Sequence, residues 1–90
     1  MNLESRLEIS PDVVAREVGE ETMLLDLASG TYFGLDAVGG RVWQALDAGA
    51  SLTEACDRIE GEFEVTRVQL EADVLALIGQ IVEQGLATVA

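Results

Sequence analysis

The sequence predicts an α+β fold, similar to a winged helix, in which a three-stranded antiparallel sheet is followed by three helices. Up to residue 35, apolar and polar residues alternate with a period of two between glycine-containing turns. Beyond that point, apolar residues recur at helical spacing behind residues that can cap a helix. A chain of 90 residues suffices for one small core, so we expect a single domain over residues 1–90.

Two strands are predicted ahead of residue 29. The first spans residues 12–18, and a turn at residues 19–21 separates it from the second, at residues 22–28. Short extended pieces are also expected at 7–9 and 86–89. Three apolar residues alternate in the second strand, so we expect their side chains to face the core. These residues are Met23, Leu25 and Leu27.

The segment from Ser29 to Asp36 predicts a hairpin and a third strand. Ser29-Gly30 is a two-residue turn signal, because glycine adopts a positive φ without a Cβ clash. The third strand, Thr31–Leu35, is followed at once by Asp36, a residue type that caps helices. A short aromatic strand that passes into a helix without a loop is expected at the edge of a sheet. An extended peptide can add to such an edge.

The first two helices are predicted from their caps. Asp36 begins the first helix, which runs to about residue 48 and stops at Gly49. Ser51 and Glu54 form a capping box, in which the hydroxyl and the carboxylate bond to each other's free backbone N–H groups. The apolar positions of the second helix continue to Phe63, so we expect the helix to end there.

The third helix begins at a repeat of the capping-box pattern, Thr66 and Gln69, and is expected to run to residue 84, before Gly85. It is apolar on two sides. One stripe consists of Leu70, Val74, Leu77, Ile78 and Ile81. The second stripe consists of Val68, Ala72, Leu75, Gly79 and Val82. Either the helix lies between the sheet and the other helices, or the second stripe lines a groove beside the third strand, where small residues admit another backbone.

Charge and composition exclude several classes of function. The chain has 17 acidic residues, five arginines and no lysine or histidine, for a net charge of −12. Such a surface repels phosphate, so neither nucleic acid nor an anionic membrane is an expected partner. No histidine is present as a base or ligand, and the acids lack metal-ligand spacing, so we expect no metal and no cofactor. No signal peptide or membrane-spanning stretch is evident, which indicates a cytoplasmic protein.

No residue pattern indicates catalysis. Ser29 has no histidine to activate it, so a role in the turn is the better interpretation. Cys56 lies on the apolar face of the second helix, which is typical of a buried thiol rather than a nucleophile. Trp43 is expected to be a partly buried core residue. Tyr32 and Phe33 point to opposite faces of their strand, so one of them must leave the core.

Binding of DNA is also opposed by the charge of the third helix. Winged-helix domains usually place one helix in the major groove. Here Arg67 is the only cation of that helix, against the acids Glu71, Asp73 and Glu83. The fold can therefore be shared with DNA-binding domains without the function.

Two segments of the chain resemble the PqqD-like family, whose members are also called RiPP precursor recognition elements. The first covers residues 25–43 and contains the run Leu25-Asp26-Leu27-Ala28-Ser29-Gly30-Thr31-Tyr32-Phe33-Gly34-Leu35-Asp36. The second combines residues 73–78 with Glu83-Gln84-Gly85-Leu86, which resemble the family's last helix and its Gly-Leu exit. The resemblance covers residues 7–88. One departure is Asp36, where many members have Asn, and both residues cap helices.

The resemblance implies a three-stranded sheet packed on three helices, in a non-catalytic module that captures the leader segment of a ribosomally made precursor peptide. It implies that the leader adds as an antiparallel strand to the third strand. The strand residues are Thr31, Tyr32, Phe33, Gly34 and Leu35. The implied wall of the cleft, on the third helix, comes from Val68, Ala72, Leu75, Ala76, Gly79 and Val82.

The resemblance further implies delivery of the precursor to a leader peptidase or other modifying enzyme. The Gly-Thr-Tyr-Phe-Gly-Leu strand is closer to members of lasso-peptide pathways, in which the partner is a leader peptidase. PqqD-type members that assist radical SAM enzymes are the alternative. The residues also leave open a different class of function, an acidic winged-helix scaffold or regulator that binds another folded protein.

Overall fold

A computed structural model describes residues 2–90 of the chain. Its elements, in chain order, are β1 (Leu7–Ile9), β2 (Val13–Val18), β3 (Glu21–Asp26), β4 (Thr31–Leu35), α1 (Ala37–Asp47), α2 (Leu52–Ile59), α3 (Arg67–Glu83) and β5 (Ala87–Val89). Strands β2, β3 and β4 form an antiparallel sheet in that order, and the three helices follow. The expected α+β architecture is confirmed.

The two ends of the described chain pair with each other. Strands β1 and β5 form a separate antiparallel ribbon in which Leu7 lies opposite Val89. Gly85, with a φ of 78°, ends α3 and turns the chain toward this ribbon. The sequence indicated both extended pieces but not their pairing, because nothing local to either piece identifies a partner some 80 residues away.

A two-residue turn at Gly19-Glu20 joins β2 to β3, so that Val18 pairs directly with Glu21. Gly19 has a φ of 65°, which a type II′ turn requires at its first central position. This turn fixes the register of the hairpin. A shift of one residue would exchange the two faces of β3.

The prediction that Met23, Leu25 and Leu27 face the core was wrong. The side chains buried under the helices are those of Thr22, Leu24 and Asp26. The alternate residues Met23 and Leu25 face the other way, and Leu27 lies exposed in the following loop. A period of two fits either face, and the larger number of apolar residues favoured the outer one.

The polar residues on the inner face of β3 have partners there. The Asp26 carboxylate accepts hydrogen bonds from the Ala28 N–H (3.1 Å) and from the Ser29 hydroxyl (2.8 Å). Thr22 packs against α1 at Gly40. Burial of a hydrogen-bonded carboxylate is tolerated, which explains why Asp26 lies on the core side of this strand.

The connection between β3 and β4 has four residues, 27–30, rather than the expected two. Asp26 pairs with Thr31 across it, and the Gly30 N–H donates to the Asp26 carbonyl at 2.7 Å. The bonds to the Asp26 carboxylate turn the chain at residue 27, which ends β3 earlier than expected. The expected positive φ of Gly30 (76°) and the role of Ser29 in the turn are confirmed.

The three predicted helix caps are confirmed. The Asp36 carboxylate accepts from the Gly39 N–H at 2.8 Å, and Ser51 forms the complete capping box with Glu54. Thr66 accepts from the Gln69 N–H at 3.2 Å. The second half of that capping box is not formed, because the Gln69 side-chain amide donates to Asp73 instead (2.8 Å).

The apolar spacing predicts that the second helix ends at Phe63, but α2 ends at Ile59. Gly61 follows, and glycine disfavours continuation of a helix. Phe63 still packs against the core, but from the loop. Hydrophobic spacing alone does not separate a last helical turn from a loop that returns an apolar side chain to the same core.

The helices cover the inner face of the sheet and enclose one core. Its largest fully buried side chains are Leu24, Leu46, Leu52, Ile59, Leu70, Ile78, Ile81 and Leu86. Trp43 is buried, as expected. Arg67 bonds to Asp57 and Glu60 and thereby ties the start of α3 to α2.

Helix α1 approaches β3 closely at Gly40, and this contact gives a test of the packing. An added Cβ at Gly40 would lie 2.6 Å from the Thr22 Oγ1. We expect Gly40→Ala to lower the free energy of unfolding by about 1–2 kcal/mol, because overpacking outweighs the gain in helix propensity. Urea unfolding measures the change.

Gly61→Ala is the matched control, because an added Cβ there meets no atom within 4 Å. Its free energy of unfolding should stay within about 0.5 kcal/mol of the parent value. Equal unfolding midpoints for the two variants would contradict the close approach of α1 to β3.

Candidate functional site

Strand β4 is an edge of the sheet. It pairs with β3 on one side, and among residues 2–90 no strand pairs with its other side. The chain leaves β4 through Asp36 directly into α1. The predicted edge position of Thr31–Leu35 is confirmed.

The hydrogen-bond pattern shows which backbone groups of β4 point outward. The Leu27 N–H donates to the Asp12 carbonyl (2.9 Å), so the odd-numbered residues of β3 bond toward β2. The even-numbered residues therefore bond toward β4, as the bond from the Gly30 N–H to the Asp26 carbonyl also indicates. Their partners in β4 are Thr31, Phe33 and Leu35. The outward N–H and C=O groups belong to Tyr32 and Gly34.

A groove of about 570 Å³ lies beside this edge, between β4, α1 and α3. From the strand side it is lined by Glu21, Phe33, Gly34, Leu35 and Asp36, and from α1 by Val38, Gly39 and Val42. From the other side it is lined by Val65 and by Leu70, Asp73, Val74, Leu77 and Gln80 of α3. The groove therefore combines an unpaired strand edge with mainly apolar walls, which is the arrangement that binds an extended peptide.

Three of the five predicted strand residues line the groove: Phe33, Gly34 and Leu35. Thr31 lies at the start of the strand, where its hydroxyl oxygen is 2.9 Å from that of Ser29. Tyr32 points to the other face of the sheet and is 66% exposed. The expectation that Tyr32 and Phe33 face opposite ways is confirmed.

The six residues predicted for the wall on α3 lie outside this groove. They are Val68, Ala72, Leu75, Ala76, Gly79 and Val82. Leu75 and Val82 pack against the edge of the core, and Val68 is 80% exposed. The groove lies on the opposite flank of the buried stripe, at Asp73, Leu77 and Gln80.

The spacing of the three residues on that flank was a signal that could have located the wall. Asp73, Leu77 and Gln80 recur at i, i+4 and i+7 and so share one side of the helix. They mix an apolar residue with polar ones, as the rim of a groove does. The prediction relied on small residues such as Ala72 and Gly79, which lie on the other flank. Small residues allow another part of a protein to come close, but they do not show which part it is.

The floor of the groove is formed where β4 passes into α1. The Asp36 cap holds the first turn of α1 against the end of the strand. A Cβ added at Gly39 would lie 3.4 Å from both Leu35 Cβ and Leu77 Cδ2. Gly39 therefore lies between the end of β4 and Leu77 of α3, at the floor of the groove.

The charged residues that line the groove are all acidic: Glu21, Asp36 and Asp73. Within residues 2–90, none of the three forms an ion pair. The three arginines that form ion pairs bind other acids, namely Glu54, Glu62, Asp57, Glu60 and Glu71.

The face of the sheet opposite the helices is largely apolar and uncovered in the described chain. One row across its three strands consists of Val14, Leu25 and Tyr32, and the next consists of Arg16, Met23 and Gly34. We call these six residues the outer face. Val14 is 44% and Met23 is 36% exposed. A contiguous apolar patch of this kind commonly marks an interaction surface.

Cys56 is fully buried in the core, as expected, and burial raises the pKa of its thiol. No group of three or more acidic or thiol side chains in residues 2–90 is placed to hold a metal ion. Across the same residues, no helix combines the length and the apolar character needed to cross a membrane.

Comparisons with known proteins agree on one kind of relative. The family model described as Coenzyme PQQ synthesis protein D (PqqD) matches residues 21–87. Among curated proteins, none matches this chain.

Two solved structures are similar over nearly the whole chain. TbiB1, in complex with the TbiA(β) leader peptide, is 39% identical with a TM-score of 0.81, covering 89% of this chain and 93% of that one. A lasso peptide synthetase B1 protein, complexed with the leader peptide, is 28% identical with a TM-score of 0.82, covering 92% of this chain and 98% of that one.

Amide hydrogen exchange, measured by NMR on the free protein, tests the outward groups of β4. We expect the Tyr32 and Gly34 amides to exchange faster than those of Phe33 and Leu35, because only the latter two donate within the sheet. Protection of Tyr32 and Gly34 equal to that of Phe33, at all protein concentrations, would contradict the assigned pattern. Protection that appears only at high concentration would indicate pairing of two β4 edges.

Proposed function

This chain belongs to the PqqD family, and we propose that it is a non-catalytic protein that captures the leader peptide of a ribosomally made precursor in lasso-peptide biosynthesis. The leader adds as a strand to β4, and the protein presents it to a leader peptidase or other modifying enzyme. The observation that carries the proposal is the free edge of β4 beside an apolar groove. Ribosomal synthesis of the precursor places this function in the cytoplasm.

Strand addition divides recognition between backbone and side chains. A guest strand bonds to the N–H and C=O groups of Tyr32 and Gly34. Guest side chains opposite Phe33 and Leu35 point into the groove, because side chains directly opposite each other lie on the same face of a sheet. There they meet α3 at residues such as Leu70 and Leu77.

Magnitudes show that the groove must supply much of the affinity. Each backbone hydrogen bond contributes about 1 kcal/mol net. The outward groups of two residues therefore do not offset the roughly 4–15 kcal/mol that association costs. An apolar side chain buried in the groove adds about 1.5–3 kcal/mol. Sequence preference consequently follows from the residues that line the groove.

Within this proposal, the leader site consists of β4 and the groove-lining flank of α3. The strand residues Thr31–Leu35 are retained from the sequence prediction. The helix contribution moves to Leu70, Asp73, Val74, Leu77 and Gln80, because these residues face β4 across the groove.

The outer face supports the second half of the proposal, presentation to an enzyme. It shares β4 with the leader site, since the backbone of Tyr32 faces the guest strand while its side chain lies on the outer face. A guest strand on β4 would extend this face by its own alternate side chains. A processing enzyme that docks there would contact protein and leader together.

A PqqD-type role beside a radical SAM enzyme is the second candidate, favoured by the family match. The likeness to B1 proteins in complex with leader peptides, at 39% and 28% identity, favours the lasso-peptide role. The genes beside this one distinguish the two, because a short precursor gene with a peptidase and a cyclase fits only the lasso-peptide role.

Tyr32→Pro tests strand addition. It removes an outward N–H from β4 but no bond to β3, so the sheet should persist. We expect the affinity for the fluorescently labelled leader of the neighbouring precursor to fall by at least about tenfold, equivalent to about 1.4 kcal/mol. Fluorescence polarisation measures binding, and circular dichroism checks the fold.

Two controls isolate the backbone effect. Tyr32→Ala removes the same side chain but keeps the N–H. Ala15→Pro removes an outward N–H from β2, the opposite edge of the sheet. Unchanged affinity in folded Tyr32→Pro, or an equal loss in Ala15→Pro, would remove β4 from the leader site.

The paired change Val14→Ser with Met23→Ser tests the outer face. Both residues are exposed and lie away from the groove, so leader affinity should stay within about twofold of the parent. We expect leader removal by the peptidase encoded nearby to slow by about tenfold or more when this variant replaces the parent, because part of the docking surface is lost. Unchanged cleavage rates would exclude the outer face as the docking surface.

A further inference from the structure

Strand β2 is the second edge of the sheet, and the proposed leader site does not include it. Among residues 2–90 it pairs only with β3, five of its six residues are exposed, and the sixth, Val13, is half-buried. Three of the six are valines, and the strand has no proline and no bulge in its ladder with β3. Because natural sheets usually protect an edge of this kind, an uncovered apolar one indicates a partner strand.

The hydrogen-bond pattern shows which backbone groups of β2 point outward. The odd-numbered residues of β3 bond to β2, and their partners there are the even-numbered residues, which therefore bond inward. The N–H and C=O groups of Ala15 and Glu17 point outward, as does the Val13 carbonyl. The Val13 N–H is already used, because it donates to the Ser10 carbonyl at 3.1 Å.

A second copy of β2 matches these outward groups. Within the strand, only two symmetric antiparallel registers let both Ala15 and Glu17 donate their outward N–H groups. One register places Arg16 directly opposite Arg16 of the second copy, and like charges in that position destabilise a sheet. The other places Ala15 opposite Ala15, so that the Glu17 N–H donates to the Val13 carbonyl of the second copy. Two small side chains then meet at the two-fold axis.

This Ala15 register also gives a partner to Arg16. Neither Arg16 nor Asp12 forms an ion pair within residues 2–90. In the Ala15 register, Arg16 lies opposite Val14 of the second copy and diagonal to Asp12, whose carbonyl continues the ladder of β2 by accepting from Leu27. Long side chains reach across such a diagonal, and the right-handed twist brings this one closer than the diagonal between the two arginines. Symmetry forms the pair twice.

We propose that two copies of this chain pair through β2 and join their three-stranded sheets into one continuous sheet. Each copy keeps its own β4 at an outer end of that sheet, so both leader sites stay open. The net charge of −12 on each copy opposes association. One strand edge also buries less area than a stable interface, so we expect a weak dimer, with a dissociation constant on the order of 0.1–1 mM.

NMR on the full-length protein at physiological salt tests the pairing over a concentration range of about 0.05–2 mM. Translational diffusion should slow as the concentration rises, and the amide shifts of Ala15 and Glu17 should change most. Ala15→Pro removes the outward N–H at the two-fold axis and should abolish both effects, while circular dichroism checks its fold. Tyr32→Pro is the matched control, because it removes an outward N–H from the opposite edge and should leave the dimer unchanged.

Charge variants test the Ala15 register without changing the backbone. Arg16→Glu should weaken the dimer by about fivefold or more, because it places two acids side by side. Arg58→Glu is the control of equal net charge, since Arg58 is exposed on α2 and also forms no ion pair within residues 2–90. It should weaken the dimer by less than about twofold. Asp12→Arg combined with Arg16→Glu restores the pair and the parent net charge, so the dissociation constant should return to within about twofold of the parent value.

The remaining outcomes contradict the proposal. Diffusion of the parent that does not change with concentration would overturn it. A dimer that persists in folded Ala15→Pro would do the same, and its loss in Tyr32→Pro would instead assign the pairing to β4. Equal weakening by Arg16→Glu and Arg58→Glu, or no recovery in the combined variant, would overturn the Ala15 register.

Discussion

The site depends on the contact between Asp36 and the first turn of α1. Because Asp36 ends β4 and caps α1, no loop separates strand from helix, and the chain leaves the sheet before another strand can pair with β4. The same cap holds Gly39 and Gly40 against the end of β4 and against β3. One carboxylate thus joins the open edge to the floor of the groove beside it.

The alternation of a single strand then separates two surfaces. Phe33 and Leu35 direct their side chains toward the helices and their backbone groups toward β3. Tyr32 and Gly34 direct their backbone groups to the open edge, and the Tyr32 side chain to the outer face. A strand bound at β4 continues both faces of the sheet. In the proposed presentation to an enzyme, the peptide and the docked protein use one continuous face, so each changes the affinity for the other by the same factor.

The helix caps and the edge strand were predictable from the sequence, because they depend on local chemistry. Asp36, Ser51 and Thr66 cap helices because of their side chains alone, and the edge strand follows from Asp36. The inner face of β3 was not predictable in the same way, because its burial depends on Thr22 meeting Gly40 and on Asp26 bonding within its own turn. The groove-facing flank of α3 depends on how the helix is rotated against the sheet. Two apolar stripes do not determine that rotation.

Strand addition on its own discriminates poorly, because every peptide has the same backbone. Discrimination requires groups whose free energy differs between guests, and the apolar walls of the groove, at residues such as Phe33 and Leu77, provide them. A guest side chain that is apolar gains free energy when it is buried against these walls, whereas a polar one gives up its hydration there without a partner. The choice among leaders therefore follows from the residues that line the groove, while the strand edge fixes only the direction and register of the guest.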